Sequence, residues 1–589
     1  MEIQNIKNIY DFITTERTEY DNPKGIELED GWNWSMPTHI RRSYLYLNSQ
    51  FLEDNSDRYQ RPFRNIILPI LNIAFRMEGF DVKDIELYVD NPDEYYKSLL
   101  IRKFHQKWAL ENGIDTFIDE MVDSYGTYGG VLVRKRAKNA RPEVVDFRTL
   151  AFCNQTDLLA YPFAIRHVFS PSQLRDASDK WGDSNYGATI DIETVITKAK
   201  KENKKEIEIF EVHGVMPTEW LGDKETEKKD VNQVQVITFF KNENNQEIGS
   251  TLFKYKEPTL PFKFLSRDKI NGRALGRGGV EELFEPQQWI NKNEIASAEM
   301  LGSASKTILW SDDKALKTKN LKNVSNNEVL SLTTGTKIAQ VDTQPRNLAV
   351  FNDSIERWWQ HAQIIGSATD PMLGEAPNSG TPFKLYEAQQ IEGKGMHKYR
   401  QGKLAVFMDE IYRDWILPHL AKEICQEQTF MQELSADEMQ MVTDKVLIQK
   451  TNDFKKRMIL GLQEVDEQMV EMYKQEVQKD TAKKGNKRFF KILKDEMKDV
   501  SLSVMTNIVG KQKNLALLTD KLVNVLRQYI ATPQIRQDPE MAKLLNTILE
   551  SSGLDPITFT SMPPVPQMMP QQAGGNTQGL QKMAQTNQQ

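Results

Sequence analysis

GRALGRGGVEELFEPQQWINKNEIASAEMLGSASKTILW, residues 272–310, decides the fold. Its glycines cluster at the front. Val280, Leu283, Phe284, Ile290, Ile295, Ala298 and Leu301 then recur on broadly one side of a helix over 277–301. At ~1.5 Å per residue such a helix is about 38 Å long. Glu285-Pro286 predicts a kink, because proline removes a backbone donor. The glycine run lacks the GxGxxG spacing and has no βαβ unit around it. It reads as a turn that aims the helix, not as a nucleotide cradle.

Downstream, KTILW (306–310) and KIAQV (337–341) are strand-like and flank a lysine-rich DDKALKTKNLKN. NDSIERWWQHAQIIGSA (352–368) then places Ile355, Trp358, Trp359, Ala362 and Ile365 at helical spacing, with Asn352 or Asp353 as the expected N-cap. GEAPNSGTPFKLYEA (374–388) follows, too rich in Gly, Pro, Asn and Ser for regular structure. After it, PFKLYEAQQIEGKGMHKYRQGKLAVFMDEIYRDWILPHLAKEI predicts a long helix with Leu404, Phe407, Met408, Ile411 and Trp415 on one face.

Upstream, residues 1–125 read as mainly helical, with Pro69 expected to kink or split a helix over 63–80. Period-two alternation predicts strands at 131–136, 143–150, 163–169, 206–215, 233–240 and 250–255, with one helix in the excursion between the third and fourth. VSLSVMTNIV (500–509) is a further strand, 514–530 and 539–550 are terminal helices, and the low-complexity text from 562 cannot bury enough surface to order itself.

The chain has 589 residues, 39% hydrophobic and 27% charged, which is ample for several cores. A net charge of −7 argues against a protein that coats nucleic acid. It leaves room for one that nucleic acid slides past. Cys153 and Cys425 stand far apart, so neither a disulfide framework nor zinc spacing is expected, and a reducing compartment is the default. No signal-peptide pattern and no long apolar run is present, so no membrane is expected.

The sequence has no P-loop, no GxSxG and no paired metal-ligand spacing. His361 and His397 read as helix-face or core histidines, and Asp312-Asp313 as solvent-facing acids. Catalytic, cofactor-binding and metal residues are therefore expected to be none, and the chain is not expected to be an enzyme. Lys314, Lys317, Lys319, Lys322 and the 483–494 basic cluster each read, alone, as solvated surface. The tryptophans read as packing rather than base stacking.

The order of parts is the informative signal. An α+β, predominantly helical chain with two long helices bracketing a small strand unit, then a loop and a very long helix, resembles the portal proteins of tailed double-stranded DNA bacteriophages. Residues 271–420 carry the resemblance. The 272–310 stretch looks like the first stem helix entering the clip, 358–395 like the second stem helix entering the tunnel loop, and VFMDEIYRDWILPHL (406–420) like the helix that ends the portal core. The resemblance implies a wing body at 1–270, a first stem helix at 271–305, a clip at 306–350 and a second stem helix at 351–372. It further implies a tunnel loop at 373–383, a long wing helix at 384–425, a C-terminal wing region at 426–509, a helical crown at 510–560 and a disordered tail at 561–589.

The same resemblance implies a homo-oligomeric ring of roughly twelve chains at one capsid vertex. Double-stranded DNA would pass through it. The terminase large subunit, major capsid and scaffolding proteins and the head–tail adaptor would be its partners. The location would be the virion, with host cytoplasm during assembly. Gly374, Asn378, Ser379, Gly380, Thr381 and Lys384 would then line the channel. Lys314, Lys317, Lys319 and Lys322 would form the docking surface of the clip, and Leu283, Ile290, Ile295, Ile355, Trp358, Trp359 and Ile365 would pack the stem and its subunit contacts. Two other readings stand: another head–tail adaptor or minor head protein, and a nuclease or ATPase of the packaging machinery.

Overall fold

A computed structural model of the chain describes residues 6–22, 25–52, 61–89, 95–136, 140–181, 192–222, 230–241, 247–304, 309–312, 334, 337–340, 348–368, 370–373, 394–424, 447–448, 451–452, 454–455, 457–458, 467–477, 479 and 502–506. The chain divides into two compact units, Met1–Gln512 and Lys513–Gln589, and every described residue lies in the first.

The first unit mixes helices with several antiparallel sheets, an α+β fold. It opens with α1 (Ile9–Tyr20), whose first turn is closed by the Asn8 side chain accepting from the Asp11 amide at 2.8 Å. A short hairpin, β1 (Ile26–Glu29) and β2 (Trp32–Trp34), leads into α2 (Met36–Leu47). Then comes α3 (Ile67–Glu78), one unbroken helix. The expected split at Pro69 is absent because this proline falls in the first turn, where its missing N–H has no intrahelical partner to lose. β3 (Ile85–Val89), α4 (Tyr95–Glu111) and α5 (Ile114–Tyr128) follow, the two helices separated at Gly113 with φ +62°.

The strands then arrive in order: β4 (Gly130–Lys135), β5 (Pro142–Val145), β6 (Leu150–Phe152) and β7 (Phe163–Phe169). The single strand expected over 143–150 is interrupted by a 3-10 turn at Phe147–Thr149, capped by Asp146. The excursion holds two helices rather than one, α6 (Pro171–Trp181) and α7 (Ile192–Lys201). β8 (Ile207–Pro217), β9 (Asp230–Lys241), β10 (Glu247–Lys256) and β11 (Phe262–Ser266) complete the body.

A five-stranded sheet runs β10-β9-β8-β7-β6 and a three-stranded sheet β11-β4-β5. Alternation along β8 feeds two cores. Phe210 and Val212 join Phe12 and Ile13 of α1 on one face. Ile207 and Ile209 join Leu174, Val195 and Ile196 of α6 and α7 on the other.

The long helices come next. α8 (Gly279–Ala304) is a single 26-residue helix, about 39 Å at ~1.5 Å per residue. The expected kink at Pro286 does not divide it, and packing along that stretch offsets the lost hydrogen bond. β12 (Leu309–Ser311) pairs antiparallel with β13 (Ile338–Gln340), and α9 (Leu348–Ile365) follows. It begins before Asn352 and Asp353, so neither caps it. Asp353 instead reaches Arg357 one turn on, at 2.7 Å.

α10 (Asp370–Leu373) and α11 (Gly395–Ile411) are next. α11 continues through a π-helical turn at Tyr412–Ile416 into α12 (Leu417–Ile424). Its expected apolar face is buried: Leu404, Phe407, Met408, Ile411 and Trp415 share a core with α4 and α5. β14 (Leu502–Thr506) pairs with β3, so the chain returns to its own first hundred residues. Among the described residues no helix is long and apolar enough to cross a membrane.

Candidate functional site

The paired long helices and the place where they leave the body form the candidate site. α8 and α9 run antiparallel. Trp289 stacks on Trp358 with centroids 6.0 Å apart and rings 6° from parallel, and one turn away the Asn293 amide donates to Ser354 Oγ at 2.9 Å. Leu283, Ile290 and Ile355 are buried in one core with Ile67, Ile70 and Leu71 of α3. Trp358, Trp359 and Ile365 are partly buried against that core, and Ile295 is half-buried higher on α8. Beyond it Ala298, Glu299, Leu301 and Gly302 are exposed, as are Ala349 and Val350 at the start of α9. So the pair is packed at its root and bare at its far end. His361 is exposed and sits edge-on to Trp358.

The turn that aims α8 works by close approach. Gly129 adopts φ +86°, and its carbonyl accepts from the amides of both Arg267 and Gly276. A Cβ on Gly276 would lie 1.6 Å from the Arg267 carbonyl oxygen, so only glycine fits. Across α8 an extended segment is pinned by side chains: Gln287 accepts from the Ile66 amide at 2.9 Å and donates to the Arg64 carbonyl at 2.6 Å.

Below that turn lies a buried ionic cluster. Glu78, at the end of α3, is wholly buried. Its Oε1 accepts from Arg267 Nη2 at 3.1 Å and from His397 Nδ1 at 3.1 Å. Arg267, 1% exposed, also donates to the Gly126 carbonyl. Arg400 of α11 donates to Asp268 at 2.6 Å and to Glu282 of α8 at 3.2 Å. Burial alone would push the Asp268 carboxyl up, but the Arg400 guanidinium beside it brings it below its usual value. Burial dominates at Glu282 and holds its carboxyl above the usual value. The cluster thus ties α3, the strand-to-helix turn, α8 and α11 to one another.

Sequence reasoning missed this cluster. A charged residue in helical text reads as solvent-facing, and the pairing here spans 189 residues between Glu78 and Arg267 and 118 between Glu282 and Arg400. Of the residues named in advance, the structure brings together the stem set alone. Gly374, Asn378, Ser379, Gly380, Thr381 and Lys384 lie outside the described residues, as do Lys314, Lys317, Lys319 and Lys322. His397 is a core histidine, bonded to Glu78. Among the described residues no group of three or more His, Cys, Asp or Glu is arranged to hold a metal ion.

No family model matches this chain, and no curated protein matches it significantly. Among solved structures it is similar to a chain from the neck of a native GTA particle computed with C12 symmetry. The identity is 8% and the TM-score 0.29, with 74% of this chain and 94% of that chain covered. At that TM-score the likeness carries no argument about fold or function.

Proposed function

We propose that this chain is a structural subunit of a tailed-phage head–tail assembly, and within that class the portal ring at the capsid vertex. The observation that supports it most is the antiparallel α8–α9 pair, rooted in an α+β body, bare at its far end, with the β12–β13 pair falling between the two helices in sequence. A pair of that kind suits the wall of a channel: side-by-side copies would bury the exposed flanks, and the root cluster would hold the pair at a fixed angle to the body.

In this reading the protein does no covalent chemistry. It conducts double-stranded DNA inward, retains it, and presents the clip to the packaging ATPase and later to the tail adaptor. The net charge of −7 suits a duplex that must slip, since a basic wall would hold phosphates by counterion release. Residues 373–383 are the segment assigned to the channel, and Lys314, Lys317, Lys319 and Lys322 the docking surface.

Mass measurement of the purified full chain tests this. A closed ring of about twelve subunits is the expected result. A monomer that persists at high concentration overturns the proposal.

A further inference from the structure

Between the five-stranded and three-stranded sheets lies a second buried ionic cluster, unrelated to the long helices. Glu211 and His213 sit two apart on β8 and therefore share a face. His213 is 2% exposed. Its Nδ1 lies 3.1 Å from Glu257 Oε2 and its Nε2 lies 3.1 Å from Glu211 Oε1. A neutral imidazole has one N–H and one lone pair. Against two carboxylates, that lone pair would face an oxygen of like polarity at hydrogen-bond distance. With both carboxyls ionised, both ring nitrogens donate, and the geometry calls for an imidazolium.

The neighbours fix which carboxylate is the stronger anchor. Glu211 also takes two bonds from the Arg134 guanidinium of β4, at 2.9 and 2.7 Å, and one from His167 Nε2 of β7 at 2.8 Å. Glu143 of β5 faces Arg134 from its other side, 3.9 Å away. Phe163 stacks beside His213 and Phe262 meets it edge-on. Glu257, by contrast, is hydrogen-bonded in the cluster by His213, with Arg134 attracting it only through space, and it opens the 257–261 crossover from β10 to β11.

We propose that the junction of the two sheets is closed by a proton held on His213, and that removing this proton at alkaline pH frees the Glu257 end, and with it the 257–261 crossover, while Arg134 keeps the Glu211 end clamped. Burial alone would push the His213 imidazole down. The hydrogen bonds from Glu211 and Glu257 outweigh burial and raise it above 6.5. The sign follows: the folded value lies above the unfolded one, so the closing contribution is complete below about pH 6.5. It is lost as pH rises through the folded value. The crossover feeds β11, Arg267 and the turn that aims α8, so its freedom bears on the segment that carries the long helix.

Hydrogen exchange at the His213 ring carbon, followed by mass spectrometry on the full chain across the pH range, measures its midpoint directly. Backbone exchange of the Glu257 amide, bonded to the Asn232 carbonyl, and of the Lys135 amide, bonded to the Pro261 carbonyl, corrected for the chemical rate, reports the two ends of the crossover. The midpoint is expected above 6.5, and protection of those amides should fall through the same midpoint, by about tenfold per unit of elevation. His213→Gln should abolish that pH step. Glu257→Gln, which keeps the shape, should lower the His213 midpoint. A midpoint at or below 6.5 overturns the proposal, as does an amide step that survives in His213→Gln or a midpoint unmoved by Glu257→Gln.

Discussion

The root of the paired helices and the junction of the two sheets both bury carboxylates, but they neutralise them with different cations. At the root, Glu78, Asp268 and Glu282 meet the guanidinium groups of Arg267 and Arg400, and Glu78 also takes a bond from the His397 imidazole. At the junction, Arg134 serves Glu211 while Glu257 relies on His213. The first rests mainly on guanidinium charge. The second depends on a proton. Alkali should therefore reach the sheet junction while the guanidinium bonds of the root persist. Acid reaches both, through the lowered carboxyls of Asp268 and Glu211.

The largest expected effect lies at the root. Arg267→Met removes the donor to Glu78 and to the Gly126 carbonyl, in a place where both partners are fully enclosed. Breaking a buried pair from one side typically costs about 3–5 kcal/mol, most of it the uncompensated charge left behind. Urea denaturation of the full chain measures this. A loss under about 1 kcal/mol, the level of an exposed pair, would mean that His397 and Arg400 suffice for Glu78 and that the root is not a single unit.

A smaller effect is expected at the junction. Glu211→Gln keeps an acceptor for Arg134 but removes the charge that three donors share. Hydrogen bonds to charged groups are worth about 1.5–3 kcal/mol, and Arg134 keeps 26% of its side chain in contact with solvent, which softens the loss. Burial would raise the Glu211 carboxyl, but Arg134, His167 and His213 bring it well below 4.5. Its contribution is present above that value and lost as pH falls through the folded one. The stability gap between wild type and Glu211→Gln should hold near neutrality and close in acid. A gap that stays constant into acid would show the contact to be geometric rather than ionic.

How much of this was legible beforehand follows from the range of the interactions. β7 falls on the seven residues whose alternation predicted it, and the apolar face of α11 was readable from local spacing. The antiparallel β12–β13 pair also matches its two strand-like stretches. β3 was missed although Ile85, Leu87 and Val89 alternate with Glu86 and Tyr88, because five residues between helical stretches are a short signal and the partner, β14, lies some four hundred residues away. β11 was missed for a similar reason, lying between two prolines and a glycine-rich turn. The start of α9 was misplaced because Asn352 and Asp353 look like caps, while the helix extends one turn further back. Neither ionic cluster was foreseen. The junction left one trace that could have been used: Glu211 and His213 interrupt β8 on a single face, flanked by apolar residues at 209, 210 and 212. Two polar side chains at that spacing inside an apolar strand ask for buried partners.

The smallest effect sharpens the contrast from outside it. Arg357 and Asp353 form an i,i+4 pair on α9 whose side chains are 70% and 67% exposed. In a lone subunit such a pair contributes about 0.3–0.5 kcal/mol, and salt screens it. Arg357→Ala should therefore shift denaturation barely at all, and the shift should vanish in high salt. The same charges that are decisive at the root would then be idle here, with burial as the only difference. Suppose instead the variant costs well over about 1 kcal/mol, and the cost survives salt. The pair would then be desolvated by something a single subunit does not supply, and a neighbouring copy against the flank of α9 is the simplest way to enclose it. Measuring Arg357→Ala at two protein concentrations separates the cases, since an effect within one chain is independent of concentration and an effect at a subunit contact is not.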